Sequence, residues 1–415
     1  MLKNNTYLSM MTGSRLNRSV LFVLLSFPLF IYYYCQRPSS QSVNGMHSVQ
    51  DMSKYHYLNS TGSTSNRYSG QLSSSSGCLN RNLAKDNVTL PNVLLIGVQK
   101  SGTSSLASWM RRVGICMSEV QPGEPSHYEK EAHYFDYFNT TGKKRKYDFD
   151  HSKIYARRFA HCCTGQSKTK SEILAMDATP ATVLFPKSVR ITFDSVDPTG
   201  ELAKRAKFMI ILREPISREL SFYNHYAYEC RKKVQSAHMD TSGHNDTKSI
   251  KCSAKLWDSK MRRVKTFSEF MEDNTLINSR FAPEPDPLGR SSWRNMNRGL
   301  YADFLREWFE LFDREQILVL SQEELVSDEG SFLNRVHSFL GLDSSIGNFH
   351  LKQVNAKDDG NKVKEVLCSD QEKLDQIFDP LNEDLYRLLE ENSGPPMEQR
   401  PFQKFVKRNC TVEDG

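Results

Sequence analysis

Residues 93–106 read VLLIGVQKSGTSSL, and this stretch decides the fold. Residues 93–98 form a continuous apolar run of strand length, the pattern of a parallel strand buried on both faces. Residues 99–103 (QKSGT) make a glycine-bearing turn. Leu106, Trp109, Met110 and Val113 then recur at helical spacing, which predicts an amphipathic helix over 104–113. A strand, a tight turn and a helix N-terminus in that order form an anion cradle. The amides of the first helical turn lack intrahelical partners, and the helix dipole points the same way. Gly97 and Gly102 have the separation of a Walker-type loop. That pattern needs a lysine directly after the second glycine, whereas Lys100 lies inside the turn. A nucleotide kinase is disfavoured on this ground. The plainer alternative is a tight turn with a solvated lysine.

A second apolar strand, 207–212 (KFMIIL), ends in Arg213-Glu214-Pro215 and leads into a predicted helix carrying Arg218 and Ser221. Pro215 suits a helix start, where its missing N–H costs nothing. Arg213 at the strand's carboxyl end and Ser221 two turns along the helix are placed to reach one phosphate, which guanidinium geometry matches well. An Arg213–Glu214 surface pair is the alternative.

The remaining sequence describes how such a domain is housed. The chain has 415 residues, 38% of them hydrophobic, and a formal net charge of +6. That balance suits anionic partners such as nucleotides, acidic glycans or lipid headgroups, and no nucleic-acid-binding signature is present. Residues 19–35 (SVLFVLLSFPLFIYYYC) carry no charge and are bounded by Arg18 and Arg37. As a helix they reach about 25 Å, the short end of a bilayer span. Lys3, Arg15 and Arg18 precede the span and only Arg37 follows closely, which orients the N-terminus to the cytoplasm. A cleaved signal peptide is the rival, but the run ends in tyrosines rather than small residues. The expected organisation is a cytoplasmic tail over 1–18, a transmembrane signal-anchor over 19–35, a flexible lumenal stem over 36–90 and a catalytic domain over 91–408. Sequons at Asn59, Asn87, Asn139, Asn245 and Asn409 agree with a lumenal domain. Eight of the nine cysteines lie beyond the span, with no C-x-x-C pair, which fits disulfides better than a metal site.

Taken together, several segments resemble one family. Residues 94–106 (LLIGVQKSGTSSL) resemble the 5′-phosphosulfate loop of sulfotransferases that use 3′-phosphoadenylyl sulfate (PAPS), and 208–226 (FMIILREPISRELSFYNHY) resemble their 3′-phosphate segment. Residues 130–136 (KEAHYFD) resemble the K-E-x-H-[FY]-F-D element of heparan sulfate sulfotransferases. Residues 298–312 (RGLYADFLREWFELF), 316–324 (QILVLSQEE) and 378–385 (FDPLNEDL) resemble later segments of the same Golgi carbohydrate group. The resemblance implies an α/β fold, a P-loop-like three-layer sandwich around a central parallel β-sheet, here preceded by a single transmembrane helix. It also implies PAPS as donor without a metal, an acidic glycan acceptor, and a single-pass type II Golgi membrane location with the catalytic domain in the lumen.

The same resemblance assigns roles to individual residues. Lys100, Ser101, Gly102, Thr103 and Ser104 would hold the phosphosulfate, and Arg213 and Ser221 the 3′-phosphate. Lys100 would stabilise the leaving group and Glu131 would be the general base. His133 would hydrogen-bond the sulfate or tune Glu131, with Asp136 orienting the group. Basic residues at 143–146 (KKRK), Arg157, Arg158, Lys187 and Arg190 are candidates for an acceptor groove, while His127, His151 and His161 receive no role. Two departures leave the acceptor open. Ala178 in MDATP (176–180) stands where heparan 3-O- and N-sulfotransferases carry lysine, which brings the form closer to relatives acting on chondroitin or other acidic glycans. The glycine- and lysine-rich loop that closes over the donor is degenerate, at 357–364 (KDDGNKVK). A protein-tyrosine sulfotransferase and a catalytically silent glycan-binding relative remain as alternatives.

Overall fold

The computed structural model describes residues 90–412, apart from 125, 137–146, 164–172, 240–251, 253–255, 273–298, 343–349, 353, 355–359 and 394–400. The expected membrane span, the stem, the 143–146 basic run and the sequons at Asn59, Asn87, Asn139 and Asn245 lie outside the described residues. Among the described residues, no helix is long and apolar enough to cross a membrane.

The first half of the domain runs β1 (Val93–Gly97), α1 (Thr103–Arg112), α2 (Phe149–Arg157), β2 (Met176–Asp177), α3 (Pro186–Val196), α4 (Glu201–Arg205), β3 (Lys207–Leu212) and α5 (Pro215–Met239). The second half runs β4 (Trp257–Asp258), β5 (Arg263–Val264), α6 (Phe267–Glu272), α7 (Tyr301–Leu311), β6 (Ile317–Ser321), α8 (Gln322–Ser327), α9 (Glu329–Leu340), β7 (Val366–Leu367), α10 (Cys368–Glu391) and β8 (Cys410–Thr411). Four strands form the central sheet in the order β2-β1-β3-β6, every pair parallel. Every residue of β1 and β6 is buried, as continuous apolar runs require when both faces are covered.

Strand side chains alternate, so each strand feeds two cores. Val93, Leu95, Met209, Ile211, Leu318 and Leu320 pack with Leu106 and Met110 of α1 and Phe332 and Val336 of α9. Leu94, Ile96, Phe208, Ile210 and Val319 pack on the other face with Phe193 of α3, Trp308 of α7 and Leu385 of α10. Helices on both faces of a parallel sheet make the expected three layers. A third cluster joins Ile216, Leu220 and Tyr223 of α5 to Phe270 of α6 and Phe378 of α10.

Three disulfides, Cys116–Cys162, Cys230–Cys252 and Cys368–Cys410, fasten the periphery. Cys78 and the Cys163 side chain lie outside the described residues. His161 Nε2 lies 3.4 Å from Cys116 Sγ, but both neighbouring sulfurs belong to a disulfide, so this convergence of ligand-type atoms is a covalent bridge.

Candidate active site

With all strands parallel, the chain passes from β1 to β2 on one side and then to β3 on the other, so the strand order switches between β1 and β3, and ligands of open α/β sheets bind outside the strand carboxyl ends at such a point. The turn after β1 and the turn after β3 meet there, where Arg213 Nη1 donates to the Lys100 carbonyl at 2.9 Å. Two glycines shape the first turn. A side chain at Gly97 would meet the Pro180 carbonyl oxygen at 2.9 Å. Gly102 has a φ of 98°, in the left-handed region that favours glycine, and begins α1 without a side-chain cap. Lys100 also adopts a positive φ of 74°, a strained conformation for a side-chain-bearing residue. The first-turn amides of α1 thus retain the anion-binding character foreseen for the turn.

Two buried polar atoms at this turn have no hydrogen-bond partner among the described residues: Ser101 Oγ and Arg213 Nε. Ser101 is fully buried and Arg213 is 9% exposed. Orphaned donors converging beside a helix N-terminus fit a phosphate-bearing nucleotide. Burial, reinforced by the charge of Arg408, lowers the Arg213 guanidinium to about 10. The surface-pair alternative for Arg213 and Glu214 does not hold, because both are buried and Glu214 is engaged elsewhere. Its carboxylate accepts from the Ile216 N–H at 2.8 Å and the Ser217 N–H at 2.6 Å, capping α5. Ser221 sits half-buried two turns along that helix.

The KEAHYFD segment packs against the same turn. Lys130 Nζ donates to Ser104 Oγ at 2.8 Å and forms an ion pair with Glu131. His133 Nε2 lies 3.2 Å from Glu131 Oε2, and His133 Nδ1 lies 2.9 Å from Asp136 Oδ2. Both ring nitrogens of His133 thus face carboxylates, and a direct hydrogen bond from the ring to a sulfate would break one of these contacts. Burial alone would lower the imidazole, but hydrogen bonds to Asp136 and Glu131 prevail and raise it to about 10. Burial alone would raise Glu131. The His133 hydrogen bond and the Lys130 charge outweigh that effect and hold its carboxyl below the usual range.

A shelf from the β2 end supports this loop. Asp177, fully buried, accepts from the Ala132 N–H at 3.2 Å, the Thr179 hydroxyl at 2.6 Å and the Tyr155 hydroxyl at 2.8 Å. The His133 N–H donates to Thr179 Oγ1 at 3.1 Å, and the Ala178 N–H donates to the Lys130 carbonyl at 2.9 Å. Burial raises the Asp177 carboxyl despite these bonds. The sequence reading singled out neither Lys130 nor Asp177 nor Tyr155. Lys130 adjoins Glu131 in the quoted motif and was the easier to find. Asp177 and Tyr155 lie 22 residues apart and have no local pattern linking them.

Other expected residues are placed apart from this network or committed elsewhere. Arg158 forms a fork with Glu124 and lies over the Tyr128 ring. Arg190 is paired with Asp194 at 2.9 Å, Lys187 lies 3.8 Å from Glu307, and Arg157 is exposed. His127, given no role from sequence, packs its ring 5.9 Å from that of His133, and Tyr128 packs at 5.0 Å.

Residues 90–378 match the family model described as sulfotransferase domain. The chain is 25% identical over 261 residues to the human protein named heparan sulfate glucosamine 3-O-sulfotransferase 3B1, covering 63% of this chain and 48% of that one. It is 23% identical over 343 residues to membrane-associated sulfotransferase kil1 of Dictyostelium discoideum, covering 72% of this chain and 65% of that one. The chain thus spans about half the length of the heparan-modifying relative. A solved sulfotransferase from Alicyclobacillus acidocaldarius aligns over 73% of this chain and 97% of its own, at 21% identity and a TM-score of 0.43. With residues 90–378, more than half of the chain, matched by one family model, the chain belongs to the sulfotransferase family.

Proposed function

We propose that this protein transfers the sulfuryl group of PAPS to a hydroxyl, or an amino group, of a glycosaminoglycan-like carbohydrate. One observation carries the reading: Lys130 ties Ser104 of the phosphate turn to Glu131, so an anion-binding turn and a partly buried carboxylate form one site. The acceptor oxygen forms a bond to sulfur as the bond from sulfur to the donor's phosphate oxygen breaks, and 3′,5′-ADP leaves. Glu131 takes the acceptor proton, and its lowered pKa keeps it ionised and ready at neutral pH. Lys100 neutralises charge growing on the departing phosphate oxygen, while the amides and hydroxyls of Ser101, Gly102, Thr103 and Ser104 hold that phosphate. Arg213 and Ser221 receive the 3′-phosphate. His133 and Asp136 fix the orientation of Glu131.

The heparan-modifying relatives and the net positive charge of the chain support a glycosaminoglycan-like acceptor. The anchor over 19–35, the stem over 36–90, and a Golgi lumenal position for the catalytic domain complete the proposal, in keeping with the three disulfides. Transfer of radiolabelled sulfate from PAPS across native and desulfated glycosaminoglycans, tyrosine peptides and small phenols tests the function. Label on a glycosaminoglycan is the expected result. Label on tyrosine peptides alone would replace the acceptor class. No label anywhere, with 3′,5′-ADP still bound, would leave a silent binding protein.

A further inference from the structure

Lys130 stands where the phosphate turn and the KEAHYFD segment touch. Its backbone is fixed from both sides: its N–H donates to the His127 carbonyl at 3.1 Å, and its carbonyl accepts from the Ala178 N–H at 2.9 Å. The side chain leaves that frame for α1. Its Nζ donates to Ser104 Oγ at 2.8 Å and is paired with the Glu131 carboxylate. An ammonium carries three N–H donors, so these two contacts leave one to face a bound group. The Lys130 and Glu131 side chains are 22% and 18% exposed, open enough for a substrate to reach yet too enclosed for solvent ions to screen the pair fully.

Four charged groups surround Glu131 in these contacts. Lys130 and His133 touch it, Asp136 holds the far side of His133, and Asp177 accepts from the neighbouring Ala132 N–H. Of the four, Lys130 is the group whose side chain also meets the phosphate turn. Burial pushes the Glu131 carboxyl up, while the His133 hydrogen bond and the Lys130 charge hold it below the usual carboxylate range. A carboxylate held by two such donors stays ionised but takes a proton weakly. A sulfuryl group that leaves a phosphate at Ser104 for a hydroxyl at Glu131 passes beside the side chain that touches both residues. Its oxygens carry negative charge, and they compete with the carboxylate for the same ammonium.

We propose that Lys130 exchanges partners during turnover: with the donor absent it neutralises Glu131, and with the donor bound it turns to the sulfuryl oxygens. The exchange rests on the transfer reading above and gives Lys130 two tasks within it. Lys130 steadies the sulfuryl group in transit, and its departure makes Glu131 a stronger base only when there is a group to transfer. The bonds made and broken are those already given, and Lys130 keeps its proton throughout.

The test compares two pH profiles of the full-length protein, with PAPS as donor and a glycosaminoglycan as acceptor. At limiting PAPS, kcat/KM for PAPS reports the free enzyme, whereas single turnover with PAPS preloaded reports the donor complex. In wild type the acid limb of the first profile is expected at lower pH than that of the second, because Lys130 holds Glu131 down in the free enzyme. Lys130→Met keeps the reach of the side chain and removes the charge. It is expected to move the free-enzyme limb to higher pH, towards that of the complex. Single turnover is expected to slow by about 10²-fold, the range for losing one preorganised donor. Lys130→Arg, which keeps the charge, is expected to recover part of that rate, and affinity for 3′,5′-ADP to change less than affinity for PAPS. Wild-type limbs that coincide would overturn the exchange, whether or not a variant folds. A Lys130→Met protein whose free-enzyme limb stays in place, slow or not, would reduce Lys130 to a structural tie and overturn it as well. Wild-type protein that binds PAPS yet labels no acceptor would remove the transfer reading, and the exchange with it.

Discussion

Residues 97–104 take their shape from the main chain, whereas residues 130–136 depend on side chains from distant segments. In the first region a strand end, a left-handed Gly102 and a helix start create the anion cradle. In the second, Glu131 is held by His133, His133 by Asp136, and the backbone of Ala132 by Asp177, which is itself held by Tyr155 and Thr179. Main-chain sites tolerate side-chain loss because each amide contributes separately. A buried polar network does not, since removing one member leaves others unsatisfied.

The largest expected effect separates binding from chemistry. Glu131→Gln should slow single-turnover transfer by roughly 10²–10⁴-fold, the usual consequence of losing a general base, with 3′,5′-ADP affinity unchanged. A parallel loss of donor affinity would mean that the two regions are one structural unit and erase the contrast drawn here. Next comes the support behind Glu131. Asp177→Ala removes an acceptor shared by four donors from three residues and should cost about 3 kcal/mol in urea unfolding, while slowing transfer more than it weakens 3′,5′-ADP. A variant as stable and as active as wild type would show that the loop holds itself.

The donor turn should respond to backbone strain instead. Gly102→Ala places a side chain at a φ of 98° and near Leu325 Cδ2, 3.3 Å away, at a cost of about 1–2 kcal/mol. The measurable result is weaker 3′,5′-ADP binding with the Glu131 pH dependence preserved. The smallest effect expected is a pH signature. His133 is raised from 6.5 to about 10 in the folded protein, so the stability it contributes is fully present below pH 6.5 and is lost as pH rises toward 10. The stability gap between wild type and His133→Gln should therefore shrink across that window. The variant should also move the acid limb of kcat/KM to higher pH, because His133 helps hold Glu131 down. An unmoved acid limb would assign that limb to a group other than Glu131.

Legibility followed the same division. The strand over 207–212 appeared where expected and the helix after QKSGT began one residue earlier than expected, whereas the hydrogen bond from Arg213 to the Lys100 carbonyl was not legible in either segment. Glu131 and His133 were found through a motif, but their contacts could not be read from it. The MDATP segment was noted only for its missing lysine at Ala178, while its Asp177 anchors the loop that carries Glu131. Arg158 and Arg190, expected in an acceptor groove, instead pair with Glu124 and Asp194, because charge alone does not say which carboxylate will be near.

The sequence by itself determined the parallel sheet, the phosphate turn and the family. Each is written in local order: apolar runs long enough to be buried on both faces, glycines where the backbone must turn, and a proline where α5 begins. The tertiary structure decided which side chains meet. Lys130 reaches Ser104, Asp177 reaches Ala132, and the Tyr301 hydroxyl reaches the Arg213 carbonyl from 88 residues away. Those contacts follow from strand order and helix packing, through which residues with no local relation become neighbours in space.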